Sequence, residues 1–214
     1  MTLHLYFAPG ACSFVPHVAL EAAQAPFEPK LVKLHRGEHR TPEFLALNPN
    51  AQVPVLVVDG KPLTQIVAIC DWLDRRYPQA GFLPTDPWQR VQALSQLAWM
   101  NSTPHTTFTR VFFPERFAET DAGKAEVKRK AIETYRGTLE RLQEWCAGAA
   151  PYWFGSRVSF HDAYAFTLLR WAGYGGIDPR SFPALHAYVE RVVQAPPVVA
   201  ALARERIALD TYKG

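Results

Sequence analysis

The first third of the chain alternates between strand-type and helix-type patterns of hydrophobic and polar positions. Residues 3–7 alternate with the period of two that is typical of a strand, and apolar side chains recur at helical spacing over residues 13–24. Further strands are predicted at residues 27–34, 55–58 and 61–63, the last two joined by the hairpin dipeptide Asp59-Gly60. Residues 65–77 return to a helical pattern. The order β-α-β followed by β-β-α predicts a small mixed sheet with a thioredoxin-like α/β fold.

A segment of turn residues separates this region from a purely helical one. Residues 78–87 contain three prolines and a glycine, which no regular element tolerates, and they are predicted to form a linker. Beyond the linker, apolar residues recur every three or four positions, for example over residues 125–146, as in a helical bundle. The predicted organisation is an α/β thioredoxin-like N-terminal domain at residues 1–77 and an all-α C-terminal helical bundle at residues 88–214.

Composition and charge narrow the class of protein. Hydrophobic residues make up 48% of the chain and charged residues 20%, with a net charge of +3, which is typical of a globular protein. No run reaches the ~18 apolar residues of a membrane span, no dense Lys/Arg block indicates a nucleic-acid partner, and the N-terminus lacks the pattern of a secretory signal. Three widely spaced cysteines indicate neither a disulfide framework nor a zinc site. We therefore expect a cytoplasmic protein with no metal and no membrane or nucleic-acid partner.

The first candidate for chemistry is Cys12, which lies where the first predicted strand gives way to the first helix. Unpaired N–H groups and the positive end of the helix dipole favour a thiolate there, with a pKa of about 3.5–7.5 against about 8.5 for a free thiol. Val15 stands where dithiol redox proteins carry a second cysteine, so intramolecular disulfide chemistry is not expected. The position alone is equally compatible with an inert buried cysteine.

Two further motifs involve the backbone. Val53-Pro54 precedes the third predicted strand, and a proline there leaves neighbouring backbone groups available to an extended peptide. A cis bond before Pro54 would explain the placement. Ser159 and Asp162 match a capping box at the start of a helix, and we expect a structural role for them.

Taken together, these motifs resemble the glutathione transferases, most closely their bacterial beta-like branch. Residues 9–13 are similar to the opening motif of that branch, residues 48–56 to the glutathione-binding loop, and residues 158–164 to the helix-capping motif of the second domain. The resemblance covers nearly the whole chain. It implies a homodimeric detoxification enzyme that binds glutathione as cosubstrate. Such an enzyme transfers the glutathione thiolate to a small hydrophobic electrophile, or exchanges it with a disulfide through the cysteine.

The resemblance also implies a role for individual residues. Three are implied to be catalytic: Cys12 as the catalytic cysteine, Ser13 as a hydroxyl donor to the thiolate, and His105 as a histidine near the thiol. Six others are implied to form the glutathione site, namely His35, Gln52, Val53, Gln65, Ile66 and Asn101.

The implied contacts of these six residues differ. Val53 is expected to hydrogen-bond the cysteinyl backbone of glutathione with Gln52 beside it. Residues 65–66 are expected to face the γ-glutamyl group. His35, or its neighbour Arg36, is placed at the glycyl carboxylate, and Asn101 at a dimer interface.

The sequence departs from the family pattern at the γ-glutamyl contact and in the first strand. Gln65 and Ile66 stand where the family usually has Glu-Ser, so a charge and a hydroxyl are missing. Phe7 stands at the position of the expected tyrosine, while Tyr6 faces the other side of the strand. These departures leave two alternatives open: a non-catalytic binding or interaction module of the same fold, and a glutaredoxin-like glutathione-dependent reductase that needs only Cys12.

Overall fold

The computed structural model describes residues 1–213, and its N-terminal part is built on a four-stranded mixed sheet. The strands are β1 (Leu3–Phe7), β2 (Glu28–Leu31), β3 (Val55–Val58) and β4 (Lys61–Thr64), in the spatial order β2-β1-β3-β4. β1 pairs in parallel with β2 and antiparallel with β3, and β3 and β4 form an antiparallel hairpin. The helices of this part are α1 (Phe14–Ala22), α2 (Pro42–Leu47) and α3 (Ile66–Arg76). The predicted thioredoxin-like fold is confirmed.

The alternation of β1 determines which side chains reach the main core. Leu5 and Phe7 are buried in the same cluster as residues of α1 and α3. Tyr6 points to the opposite face, where its ring lies 6.1 Å from that of Phe44 in α2. The structure thus places Tyr6 on the opposite side of the strand from Phe7, as the sequence predicts.

Strand β2 is shorter than the predicted residues 27–34. After Glu28–Leu31 the chain makes two 3-10 turns at Leu34–Arg36 and Glu38–Arg40. Gly37 joins the turns with φ +74°, a left-handed conformation that a residue without Cβ adopts at little cost. The strand therefore ends before the apolar pattern does.

The remainder of the chain is helical, as predicted. Its helices are α4 (Pro87–Ser102), α5 (Pro104–Phe112), α6 (Asp121–Cys146), α7 (Phe160–Tyr174), α8 (Pro183–Val192) and α9 (Pro196–Glu205). α7 is buried along nearly its whole length and packs against α1 as well as against its own bundle. None of the helices in residues 1–213 combines the length and the apolar character needed to cross a membrane.

The predicted capping box fixes the start of α7. The Ser159 Oγ accepts a hydrogen bond from the His161 N–H at 3.2 Å, and the Asp162 carboxylate accepts one from the Ser159 N–H at 2.7 Å. Asp162 also accepts hydrogen bonds from the Trp153 N–H and the Tyr188 hydroxyl. Burial raises the pKa of Asp162, and these donors act against the rise. The motif is structural, since it anchors the central helix of the bundle.

The segment between the two parts is packed against both of them. Phe82 is buried with its ring 4.6 Å from that of Phe160, and the Leu83 N–H donates to the Asp74 carboxylate at 3.2 Å. The domain limits at residues 77 and 88 remain a prediction from the sequence. Helices α2 and α9 were not predicted from the sequence.

Candidate functional site

The loop between β1 and α1 is held in place by the helical part of the chain. The Gly10 N–H donates to the Glu205 carboxylate of α9 at 2.8 Å, and the Gly10 carbonyl accepts from the Trp171 indole of α7 at 2.9 Å. Gly10 has φ +69°, and a Cβ there would lie 2.4 Å from Nη1 of Arg170. A side chain here would displace the Arg170 guanidinium and strain the backbone, and the two hydrogen bonds of Gly10 position the loop that carries Cys12.

Cys12 lies at the start of α1 but is almost entirely buried, with 6% of its surface exposed. Its thiol donates to the Val53 carbonyl, with a distance of 3.6 Å between Sγ and the oxygen. Burial raises the pKa of Cys12 to about 12, although the N–H groups of Cys12 and Ser13 lower it. Burial therefore outweighs the helix N-terminus, and the low pKa expected from the sequence is not found.

The backbone before β3 lies beside Cys12 with its polar groups available. The Val53–Pro54 peptide bond is cis, as expected. Within residues 1–213 the Val53 N–H has no hydrogen-bond partner, and the Val53 carbonyl accepts only the weak bond from the Cys12 thiol. The Asn48 amide donates to the Gln52 carbonyl at 2.8 Å and thereby shapes the same turn. An extended peptide could pair with this backbone.

The junction between β4 and α3 forms another wall of the cleft. Gln65 has φ +71°, which is unusual for a residue with a side chain. Ile66, the first residue of α3, is 3% exposed, and its side chain belongs to the main core. The first N–H groups of α3 lack intrahelical partners and form the positive end of the helix dipole, an arrangement that favours an anion.

Two residues from the helical part close the cleft, and both contact Tyr164. The His105 Nδ1 lies 2.8 Å from the Tyr164 hydroxyl oxygen, and this hydroxyl donates to Asn101 Oδ1 at 3.1 Å. If the hydroxyl proton is directed to Asn101, the network is completed by the His105 tautomer with its proton on Nδ1, which leaves the lone pair on Nε2. Burial lowers the pKa of His105 to about 4, so the ring is neutral at pH 7.

These elements meet in one cleft between the sheet and the helical part. The residues that line it are Cys12, Asn48, Gln52, Val53, Pro54, Gln65, Ile66, Asn101 and His105. The cleft thus combines an extended backbone, a helix N-terminus, a thiol and a neutral imidazole. Such a set of groups can bind a peptide-like thiol and stabilise its thiolate.

Known proteins match the chain over nearly its whole length. The N-terminal domain model of glutathione S-transferase matches residues 1–75, and the C-terminal domain model matches residues 99–196. Glutathione S-transferase GST-4.5 of Xanthomonas campestris pv. campestris is 33% identical over 211 residues, which cover 95% of this chain and 98% of that protein. The chain belongs to the glutathione S-transferase family.

Solved structures of this family share the fold. A sphingomonad glutathione S-transferase complexed with glutathione is 36% identical, with a TM-score of 0.82 over 96% of this chain and 100% of that one. The beta class glutathione S-transferase of Sphingomonas chungbukensis is 33% identical, with a TM-score of 0.81 over 94% of this chain and 98% of that one. The predicted family, its similarity to the beta-like branch and the class of transferase enzyme are confirmed.

Two of the residues that sequence reasoning assigned to the transferase site lie outside the cleft. Ser13 is fully buried, and its hydroxyl exchanges hydrogen bonds with the N–H and carbonyl of Ala8, at 3.1 and 3.2 Å. His35 is exposed on the 3-10 turn Leu34–Arg36. Neither side chain lines the cleft with Cys12. Ser13 is oriented inward because the turn at Ala8 needs both of its hydrogen-bonding functions.

Two other residues of the site were missed in the sequence. Asn48 belongs to the loop motif that carries the family resemblance, so a signal for it was present. Tyr164 follows the capping box by two residues and looks like a core residue of α7. Nothing in the sequence indicates that its hydroxyl joins His105 to Asn101.

The buried state of Cys12 predicts slow alkylation of the unliganded protein. Only the thiolate reacts with iodoacetamide, so labelling of Cys12 at pH 7 should be slower than labelling of the unfolded chain. Its rate should rise about tenfold per pH unit to beyond pH 10, because the thiol deprotonates only near a pKa of about 12. Peptide mass spectrometry separates Cys12 from Cys70 and Cys146, both buried, as internal controls. A labelling rate of Cys12 that levels off below pH 8 would show that the thiol is already ionised.

Proposed function

We propose that this chain binds glutathione in the cleft beside Cys12 and transfers its thiolate to a small hydrophobic electrophile. The observation that carries the proposal is the convergence of Cys12, Val53, Gln65, Asn101 and His105 on one small space. These residues come from five different segments of the chain, and the sphingomonad relative is complexed with glutathione. A single thiol-containing peptide accounts for all of them.

The backbone groups of the cleft assign an orientation to glutathione. The cysteinyl part pairs with the N–H and carbonyl of Val53, the way an added strand pairs with a sheet edge. The γ-glutamyl carboxylate meets the N-terminus of α3, and the Gln65 side chain lies beside its ammonium group. Ile66 contributes its N–H, since its side chain is in the core. No role in this orientation falls to His35.

Cys12 is proposed to act as a hydrogen-bond donor. With a pKa of about 12 the thiol keeps its proton at pH 7. When glutathione pairs with Val53, the Cys12 thiol exchanges its weak bond to that carbonyl for one to the glutathione sulfur. A donor at this place, with the N–H groups at the start of α1, stabilises the glutathione thiolate. The sulfur then attacks the electrophile, and its former proton leaves through His105 to solvent.

This assignment favours conjugation over disulfide exchange. A glutaredoxin-like reductase needs Cys12 as a thiolate that attacks a disulfide sulfur, and burial opposes that state. The non-catalytic module remains the competing hypothesis, since Gln65 and Ile66 depart from the family pattern. Glutathione binding without turnover would identify it.

The proposal also covers the oligomeric state, the cellular location, the physiological role and the entry of the electrophile. We propose a homodimeric, cytoplasmic enzyme of detoxification. Trp88 and Val91 at the start of α4 are 68% and 55% exposed, and such apolar side chains suit a contact with a second copy. The electrophile would enter beside His105, whose ring packs 5.0 Å from that of the buried Trp171.

The missing charge at the γ-glutamyl end leads to a prediction about the affinity for glutathione. Gln65→Glu places a carboxylate beside the ammonium group of glutathione, and a charge-assisted hydrogen bond is worth about 1.5 kcal/mol or more. Affinity for glutathione should therefore rise about tenfold. Calorimetry with glutathione measures the change, and Gln52→Glu is the control because it adds the same charge elsewhere in the cleft.

Equal affinities for wild type and Gln65→Glu would show that the ammonium group of glutathione lies elsewhere. No binding by either at millimolar glutathione would contradict the proposed function.

A separate prediction concerns Tyr164 as a positioning residue. Tyr164→Phe removes the hydroxyl that holds the proton on His105 Nδ1, so both imidazole tautomers should become populated. The value of kcat/KM for conjugation should fall about tenfold, which corresponds to one lost hydrogen bond of about 1.4 kcal/mol. Nitrogen-15 NMR of the His105 ring reports the tautomer directly.

The matched control for this variant is Tyr135→Phe. Tyr135 is also fully buried and donates to the Leu168 carbonyl at 2.6 Å, outside the cleft. It should lower stability without changing the His105 tautomer. An unchanged His105 spectrum in Tyr164→Phe would rule out the positioning role.

A further inference from the structure

A continuous set of aromatic rings leads from the cleft to the surface. The His105 ring lies 5.0 Å from that of Trp171, and Trp171 lies 6.1 Å from Phe112 at the end of α5. Phe112 in turn lies 6.0 Å from Phe113 and 5.7 Å from Tyr174. The outer three rings are exposed by 42%, 39% and 48%, respectively. Because His105 lines the same cleft as Cys12, these ring contacts link the thiol site to the exposed rings through the buried Trp171.

Exposed rings that touch one another require an explanation other than core packing. Contiguous exposed apolar patches on soluble proteins mark binding sites. Here the patch also carries charge, since the Arg116 guanidinium lies 4.2 Å from the centre of the Phe113 ring and that of Arg110 lies 4.9 Å from Phe117. Among residues 1–213, neither arginine forms an ion pair with a carboxylate. Arg116 is therefore available to an anion, whereas the Arg110 guanidinium also donates to the Thr106 carbonyl at 3.0 Å.

Positive charges from both parts of the chain act on His39, in the 3-10 turn Glu38–Arg40. Burial, and then the charges of Arg40 and Arg116, lower the pKa of His39. The positive charge of Arg116 is thus felt at the 3-10 turn Glu38–Arg40 of the N-terminal part. The His39 Nδ1 is buried and has no hydrogen-bond partner among the described residues. Glu115 is the acidic neighbour on the turn of Arg116, and it forms no ion pair with that residue.

We propose that this patch binds the anionic group of the second substrate, so that the preferred electrophile is an electron-poor aromatic carboxylate. This inference rests on the proposed function. The ring of the substrate stacks on Phe112 and Phe113, and its carboxylate faces Arg116. In the reaction with an aryl chloride, the glutathione sulfur forms a bond to the ring carbon that bears chlorine. The carbon–chlorine bond breaks with its electron pair, chloride leaves, and the thiol proton passes to solvent.

A pair of neutral and anionic substrates tests the subsite. 4-Chloro-3-nitrobenzoate and 4-chloro-3-nitrobenzamide differ at the group that would face Arg116. Arg116→Gln should lower kcat/KM for the benzoate about 5- to 20-fold, as the loss of one charge-assisted contact predicts, and change that for the benzamide less than twofold. Added salt should weaken the wild-type preference for the benzoate, because the contact is partly exposed. Arg136→Gln is the control, since Arg136 is exposed on α6 and forms none of the cation–π contacts with these rings.

The outcomes separate this inference from the proposed function. An equal loss for both substrates in Arg116→Gln, or no loss for either, would overturn the carboxylate subsite. If the wild type conjugates neither substrate, binding of the benzoate is measured by quenching of tryptophan fluorescence and by the shift of the His39 resonance in NMR. Binding that weakens in Arg116→Gln, with a rise in the pKa of His39, would support the subsite while the proposed function fails. Absence of any such binding would overturn the subsite as well.

Discussion

The site depends on one contact across the two parts of the chain: Gly10 is bound on both sides by the helical part. Its N–H donates to Glu205 and its carbonyl accepts from the Trp171 indole. The second carboxylate oxygen of Glu205 is 2.7 Å from Nδ1 of His17, and both side chains are buried. Buried polar groups are costly unless they are paired, so these bonds hold α1, α7 and α9 together in one arrangement. The loop that carries Cys12 is therefore a product of both domains.

This constraint also determines the chemistry of Cys12. The loop places the thiol at a helix N-terminus, which favours ionisation. It also buries the thiol and exposes it to the negative charge of the Glu205 carboxylate, and both of these effects oppose ionisation. Burial is the larger effect. The result is a protonated cysteine beside an unpaired Val53 N–H and a neutral His105. A site of this kind stabilises the thiolate of a bound ligand and keeps its own thiol unreactive.

Much of the fold was predictable because its signals are local. The strands follow from alternation, the β3–β4 hairpin from Asp59-Gly60, and the start of α7 from Ser159 and Asp162. Most residues of the cleft followed from motifs in the correct order. The protonation state of Cys12 did not, because it depends on segments far away in sequence, such as Glu205, which binds Gly10 at a separation of 195 residues. The inward orientation of Ser13 and the Tyr164 contact likewise depend on tertiary packing that no periodicity reports.

The central claim is that a protonated Cys12 donates a hydrogen bond to the thiolate of bound glutathione. The ultraviolet absorbance of that thiolate, titrated against pH in wild type, Cys12→Ser and Cys12→Ala, tests it most directly. Serine retains a donor, so wild type and Cys12→Ser should both hold glutathione as a thiolate at pH 7. Cys12→Ala removes the donor and should raise the pKa of the bound thiol by about one unit, the equivalent of one hydrogen bond. An unchanged pKa in Cys12→Ala, or a mixed disulfide between Cys12 and glutathione in wild type, would contradict the claim.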